Sequence, residues 1–326
     1  MGPCEVMVSV IVLTYNHEKY ICQALDSILM QKTNFTYEIL VGDDASTDRT
    51  PNILQDYQLN YPNIFRLFLR KTNQGPTGNA YPLFFEARGK YIATCEGDDF
   101  WCTAEKLQKQ VDFLEKNPQY VGCSHPCMIV NEASEIQNYQ PLSWECTKEV
   151  MSIHDYKGYL LPGQAATIVR RNLYKTKPEI DFSIYYQASR LIGDRTTGLI
   201  FLSQGDFYRL RETMSAYRVV TSTSSMTVKN YHANPDWIKN DYQYTKKLMV
   251  YADTKLNQDV DFEHYLRKLL LSSVIFWCRK PSQEMFQLIR IIFKDCGSIF
   301  TTVKYLSVEI LYRSIKKLIS RTKKSA

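Results

Sequence analysis

Residues Tyr91 to Trp101 read YIATCEGDDFW, an apolar run that stops abruptly on Glu96, Gly97, Asp98 and Asp99. The same transition occurs twice upstream. Val8 to Leu13 (VSVIVL) runs into Thr14, Tyr15, Asn16 and His17, and Glu38 to Val41 (EILV) runs into Gly42, Asp43, Asp44, Ala45, Ser46, Thr47 and Asp48. Short continuous runs of this kind, bounded by turn residues, read as strands covered on both faces. Between the first two, Ile21, Leu25, Ile28 and Leu29 recur at helical spacing. Pro51 suits the first turn of a second helix. Ile64 to Leu69 reads as a third strand, TNQGPTGN as a loop, and a helix through Leu83 to Ala87 leads back to Tyr91. This alternation predicts an α/β, doubly wound domain on a mostly parallel central sheet flanked by helices. Ligands of such sheets bind beyond the carboxyl ends of the strands, where Thr14, Asp43, Asp44, Glu96, Asp98 and Asp99 fall. Singly, each is an ordinary turn or capping residue. Two acidic clusters at neighbouring strand ends point to a site.

Crowded carboxylates repel, so a site that gathers them calls for a cation. Oxygen ligands without nearby His or Cys favour Mg²⁺ or Mn²⁺, which complete their shells with water and substrate phosphates. The expected ligand is therefore a phosphate ester. The chain has no GxxxxGK[ST] loop, and GPTG does not match GxGxxG after a strand, so NTP hydrolysis and dinucleotide redox chemistry lose ground.

The chain has 326 residues, is 44% hydrophobic and carries a net charge of +6, enough to bury a substantial core. Its charge is uneven: residues 227–326 hold 18 Lys and Arg against 9 Asp and Glu. Nine cysteines without a CxxC pair read as reduced thiols rather than a disulfide framework or zinc site. The N-terminal stretch lacks a signal-peptide pattern and no run is long enough for a membrane span, so the expected location is cytoplasmic.

VSVIVLTYN, EILVGDDASTD, ARGKYIATCEGDDFW and ETMSAYRV, in this order and spacing, resemble the family 2 glycosyltransferases of the GT-A fold over roughly residues 6 to 220. EGDDFW followed by TAEKLQKQVDFLEKNP is similar to bacterial members that build surface polysaccharides such as capsule and lipopolysaccharide. The resemblance implies an inverting, metal-dependent transfer from a nucleotide-diphosphate sugar to a glycan or lipid-linked glycan. It implies donor contacts from Thr14, Tyr15, Asn16, Asp43 and Asp44, with Asp44 on the base. Glu96, Gly97 and Asp98 take the family's D-x-D positions, and Asp98 and Asp99 are the implied ligands of Mn²⁺ or Mg²⁺. The loop that often carries an Arg-Asn pair reads GPTGNAY here, with Asn79 the nearest polar residue. Asp194, in Gly193-Asp194 before ETMSAYRV, takes the catalytic acid position and is the candidate general base. Arg218 completes the family's YR element, and Val219 and Val220 replace the histidine often found next.

The expected organisation is a glycosyltransferase domain over 1–226, with a nucleotide and metal half (1–102) and an acceptor half (103–226), followed by a helical, basic extension over 227–326. In KYLSVEILYRSIKKLISRTKKSA, Val303, Leu306, Ile310, Leu311, Ile315, Leu318 and Ile319 share a face, with Arg313, Lys316, Lys317, Arg321, Lys323 and Lys324 elsewhere. That pattern fits an interfacial helix on anionic lipid at the inner face of the cytoplasmic membrane equally with a helix packed on the domain. No nucleic-acid motif accompanies the charge. The rival functions are a sugar-phosphate nucleotidyltransferase, whose glycine-rich basic loop LTYNHEKY does not supply, and a catalytically silent nucleotide- or glycan-binding module.

Overall fold

A computed structural model describes residues 6–138, 141–220 and 236–309. Its strands are β1 (Val8–Thr14), β2 (Tyr37–Asp43), β3 (Phe65–Leu69), β4 (Tyr91–Glu96), β5 (Phe100–Trp101), β6 (Tyr120–Ser124), β7 (Cys127–Val130), β8 (Ile136–Asn138), β9 (Val150–Met151), β10 (Val169–Arg171), β11 (Asp206–Arg209) and β12 (Ser215–Arg218). The main sheet runs β3-β2-β1-β4-β10-β6-β11-β9, and a second sheet runs β5-β12-β7-β8. The first four strands of the chain are parallel, β10 is antiparallel to β4 and β6, and β6 and β11 are parallel. This is the expected mostly parallel sheet.

Alternate residues of the continuous apolar strands enter two separate cores. Val8, Val10 and Val12 pack with Ile21, Leu25 and Ile28 of helix α1 (Ile21–Leu29) and Leu54 of α2 (Thr50–Asn60), whereas Ile11 joins Leu40, Leu83 and Phe84 on the opposite face. A strand buried on both faces has no polar alternation to show. Each fully buried aliphatic side chain contributes roughly 1.5–3 kcal/mol, and the rigid frame that results fixes where the strand ends project.

One expectation is corrected here. GPTGN of TNQGPTGN is not loop: helix α3 spans Gly75–Glu86, with Pro76 in its first turn. The signal is non-local, because the cap comes from Asp44, whose two carboxylate oxygens accept the backbone N–H groups of Gln74 and Gly75 at 2.7 and 2.9 Å. Helix N-termini leave such donors open.

Beyond α4 (Lys106–Lys116), α5 (Leu173–Thr176), α6 (Ile184–Ala188) and α7 (Asp194–Leu202), the C-terminal region forms α8 (Trp237–Thr254), α9 (Glu263–Arg279) and α10 (Gln283–Asp295). Tyr244, Leu248 and Tyr251 of α8 lie in the same core as Leu199 and Phe201 of α7, so this region is built onto the sheet domain. The stripe of the basic tail from Ile310 onward lies outside the described residues.

Candidate active site

Strand β4 delivers the acidic turn. Gly97 donates its N–H to Leu13 O of β1 at 2.8 Å and Asp99 donates to Glu96 O at 3.0 Å, which fixes the turn against the end of the neighbouring strand. A Cβ at Gly97 would lie 2.8 Å from His17 Nδ1 and 2.9 Å from Thr14 Oγ1, so only glycine lets the first-strand loop approach this closely. Carboxylate oxygens of Glu96, Asp98 and Asp99 lie within 4.8 Å of one another. Their roles divide. Asp99 is buried and accepts from Gln164 Nε2 at 2.6 Å and from the Arg218 backbone N–H at 2.8 Å. Glu96 and Asp98 are half-buried, and Asp98 Oδ2 is 3.8 Å from His17 Nε2.

Burial, then the charges of Asp98 and Asp194, push the Glu96 carboxyl up to about 8. Burial and the same crowding raise Asp99. An all-oxygen donor set that resists its own ionisation fits a hard divalent cation. A carboxyl with a raised folded-state pKa binds more protons in the folded than in the unfolded chain. Its stabilising effect is full below the ordinary Glu range and is lost as pH rises through about 8. In EDTA the melting temperature is therefore expected to fall as pH rises from about 5 to about 8, and the stabilisation by added Mn²⁺ to grow over the same interval. Flat melting curves across that range in both conditions would contradict the assignment.

The loops after β1 and β2 are zipped together. Asn16 N–H donates to Ser46 Oγ at 2.8 Å, Asn16 Oδ1 accepts from Thr47 N–H at 2.8 Å, and Glu18 N–H donates to Asp48 Oδ2 at 3.1 Å. Asn16 holds a left-handed φ of 57°, a conformation asparagine tolerates better than most residues. Asp43 and Asp44 are buried: Asp43 closes the turn onto Ser46 and Asp44 caps α3. Thr14 Oγ1 and His17 Nδ1 are buried without a hydrogen-bond partner among the described residues, and Tyr15 is exposed. Of these three, Tyr15 is the one that presents its side chain to a ligand at this edge.

Asn79, expected to face the donor, instead sits inside α3. It is buried, donates to Gly42 O at 2.7 Å and accepts from Arg70 Nε at 3.2 Å, because helix formation by GPTGN turns it inward. The Arg218 side chain is also engaged within the protein. Its nitrogens donate to Asp98 O, Asn131 O, Glu132 O, Ser134 Oγ and Gln23 Oε1, and its guanidinium lies 4.7 Å from the Tyr20 ring centroid. Its placement ties the acidic turn to the 131–134 loop, and each guanidinium nitrogen has at least one partner within the protein.

Asp194 opens α7 and is exposed, yet close enough to the acidic turn for its charge to act on Glu96. Surrounding protein raises its pKa, opposed by the Arg170 guanidinium. The next residue anchors the helix start. Arg195 donates to Gly158 O at 2.7 Å, Asp241 Oδ1 at 2.7 Å and Thr245 Oγ1 at 2.8 Å, while Tyr244 Oη accepts from Thr196 N–H at 3.1 Å. The C-terminal helices thus hold the residue that follows the candidate base. Asp241→Asn leaves a buried guanidinium uncompensated, and is expected to cost about 3–5 kcal/mol, read as a lower denaturation midpoint. A cost below about 1 kcal/mol would show the pair to be dispensable.

Gln164 and His17 were not legible as site residues, and Tyr217 was legible only as the neighbour of Arg218 in ETMSAYRV. Gln164 reaches Asp99 from 65 positions away, and nothing in LPGQAAT announces that contact.

The model of the family described as glycosyl transferase family 2 matches residues 9–176, more than half of the chain. The chain belongs to this family. An uncharacterised Mycobacterium tuberculosis protein is 43% identical over 137 residues, covering 42% of this chain and 40% of that protein. EpsE of Bacillus subtilis, which carries a glycosyltransferase name, is 38% identical over 125 residues, 38% of this chain and 44% of its own length. The matches thus span less than half of these curated relatives. Among solved structures, S. aureus TarS 1–349 in complex with UDP superimposes with a TM-score of 0.59 at 20% identity, over 86% of this chain and 76% of that one. This likeness shows the shared GT-A fold.

Proposed function

We propose that this chain is a metal-dependent, inverting glycosyltransferase that moves a sugar from a nucleoside diphosphate donor to a glycan or lipid-linked glycan during cell-surface polysaccharide synthesis. The observation that carries the reading is the acidic turn that ends β4, where carboxylate oxygens of Glu96, Asp98 and Asp99 lie within 4.8 Å of one another and the charge of Asp194, at the start of α7, acts on Glu96. A sheet that only needed turn residues there would have no reason to bring a fourth carboxylate into the same field. TarS is solved with UDP and with UDP-GlcNAc, which supports a nucleotide-sugar donor. TuaG of Bacillus subtilis, 35% identical over 108 residues, carries a teichuronic acid biosynthesis name, which supports a polymer product.

Glu96 and Asp98 are the accessible members that would hold Mn²⁺ or Mg²⁺, with Asp99 bracing them from behind. Bound there, the cation would offset the charge that develops on the departing diphosphate. Asp194 takes the proton of the acceptor hydroxyl as that oxygen bonds to the anomeric carbon and the bond to the diphosphate breaks. Entry and departure on opposite faces invert the anomeric configuration. Its raised pKa brings Asp194 closer to the operating pH, where a general base is most effective. Thr14, Tyr15 and Asn16, with Asp43 and Asp44 behind them, would line the nucleotide side. Thermal-shift titration against a panel of nucleotide sugars, with and without Mn²⁺, tests the reading. A shift that needs both cation and nucleotide supports it, and a flat response to the whole panel contradicts it.

The proposed place of action is the inner face of the cytoplasmic membrane. Among the described residues no helix is long and apolar enough to cross a bilayer. Helical residues 299–309 leave Ile299, Phe300, Val303 and Val308 exposed at 66%, 78%, 50% and 60%, and the basic sequence from residue 310 follows. Each Lys or Arg near an anionic surface contributes roughly 1 kcal/mol, and the attraction fades within a Debye length. Vesicle binding is expected to require anionic lipid, weaken with salt and disappear on deletion of residues 310–326. Equal flotation with neutral vesicles, or none with either, would assign this surface elsewhere.

A further inference from the structure

Tyr217 is half-buried beside the acidic turn, and its hydroxyl has no hydrogen-bond partner among the described residues. Its strand is closely constrained. In β12, Ser215 pairs with Trp101 and Ala216 with Phe100 of β5, directly after the turn. The residue after Tyr217, Arg218, donates its backbone N–H to Asp99. Side chains alternate across a strand. Arg218 lies over the Tyr20 and Phe100 rings, 4.7 and 5.4 Å from their centroids, so Tyr217 is directed to the opposite side. There its phenol lies within the electrostatic reach of Glu96, Asp98, Asp99 and Asp194 together. A phenol there offers one O–H donor.

A phenol that meets four carboxylates yet hydrogen-bonds to none is available to something else. On the function proposed above, the diphosphate lies on the Glu96 and Asp98 side and the acceptor oxygen on the Asp194 side. The sugar ring must lie between them, and Tyr217 is close to both sets. We propose that Tyr217 is a further catalytic residue, whose hydroxyl donates a hydrogen bond to an oxygen of the sugar being transferred. Neither sugar-free nucleotide nor metal would feel it.

Tyr217→Phe removes one oxygen and keeps the ring, so the packing survives. With a nucleotide sugar that the wild type turns over, kcat/KM is expected to fall about tenfold or more, the order of effect of losing one buried hydrogen bond. Affinity for the corresponding nucleoside diphosphate, measured by calorimetry in Mn²⁺, should stay within about twofold of wild type on the same ground. The melting temperature should be unchanged. Normal kcat/KM in the variant overturns the proposal. Weakening of sugar-free nucleotide to the same degree also overturns it, because the residue would then act on the nucleotide or the fold. A wild type that turns over no nucleotide sugar would sink the proposed function itself, and this inference with it. That outcome is read on the wild type alone, before any variant is compared.

Discussion

Asp194→Asn is expected to lower sugar transfer by on the order of a hundredfold or more while nucleotide-sugar affinity is little changed. The amide has nearly the shape of the carboxylate and cannot accept the acceptor's proton. Asp194 is exposed, and the anchoring bonds of the α7 start belong to Arg195 and Thr196. The substitution should therefore leave the helix start in place. It also removes one of the charges that press on Glu96, so metal binding has no reason to suffer. Steady-state kinetics paired with calorimetry separate the two effects. Near-normal turnover would place the base elsewhere, and lost donor affinity would make Asp194 a binding residue.

Asp98→Asn should abolish the gain in nucleoside diphosphate affinity that Mn²⁺ confers. Removing even outer-shell partners of a metal costs about 10–100-fold in affinity, and a direct carboxylate ligand should reach at least the upper end. Among the described residues the Asp98 carboxylate has no hydrogen bond to lose beyond its loose approach to His17 at 3.8 Å, and the backbone carbonyl that accepts from Arg218 Nε survives the substitution, so the fold should be indifferent. Asp99→Asn should behave differently. One oxygen would become an NH₂ facing either the Arg218 N–H or the Gln164 amide, both of which donate to it now, so stability falls along with metal response. Calorimetry with and without Mn²⁺, beside melting curves, distinguishes them. Equal stability loss in both variants would show that the two carboxylates share one structural role.

The parallel strands and their polar ends were legible because β-branched runs buried on both faces leave a local signature. VSVIVL and YIATC carry it without help from distant residues. The start of α3 was not legible, since Gly75 and Pro76 read as loop until Asp44 is seen to cap them. The same distance effect hid the orientation of Asn79 and Arg218, whose partners lie on other elements. For Asp194 the order of motifs indicated the position, while its nearness to Glu96 depends on how α7 packs. Tyr217 stood in ETMSAYRV as the neighbour of Arg218, but its direction toward the acidic turn depends on the pairing of β12 with β5.

The central claim is that one cleft joins a cation-binding acidic turn to a base that drives sugar transfer. Incubating the purified full-length chain with a panel of nucleotide sugars and following release of nucleoside diphosphate, in Mn²⁺ and in EDTA, tests it most directly. Release from at least one donor that requires Mn²⁺ and is lost in both Asp98→Asn and Asp194→Asn is the predicted result. Release that persists in EDTA or in either variant, or none from any donor with Mn²⁺ present, would contradict it.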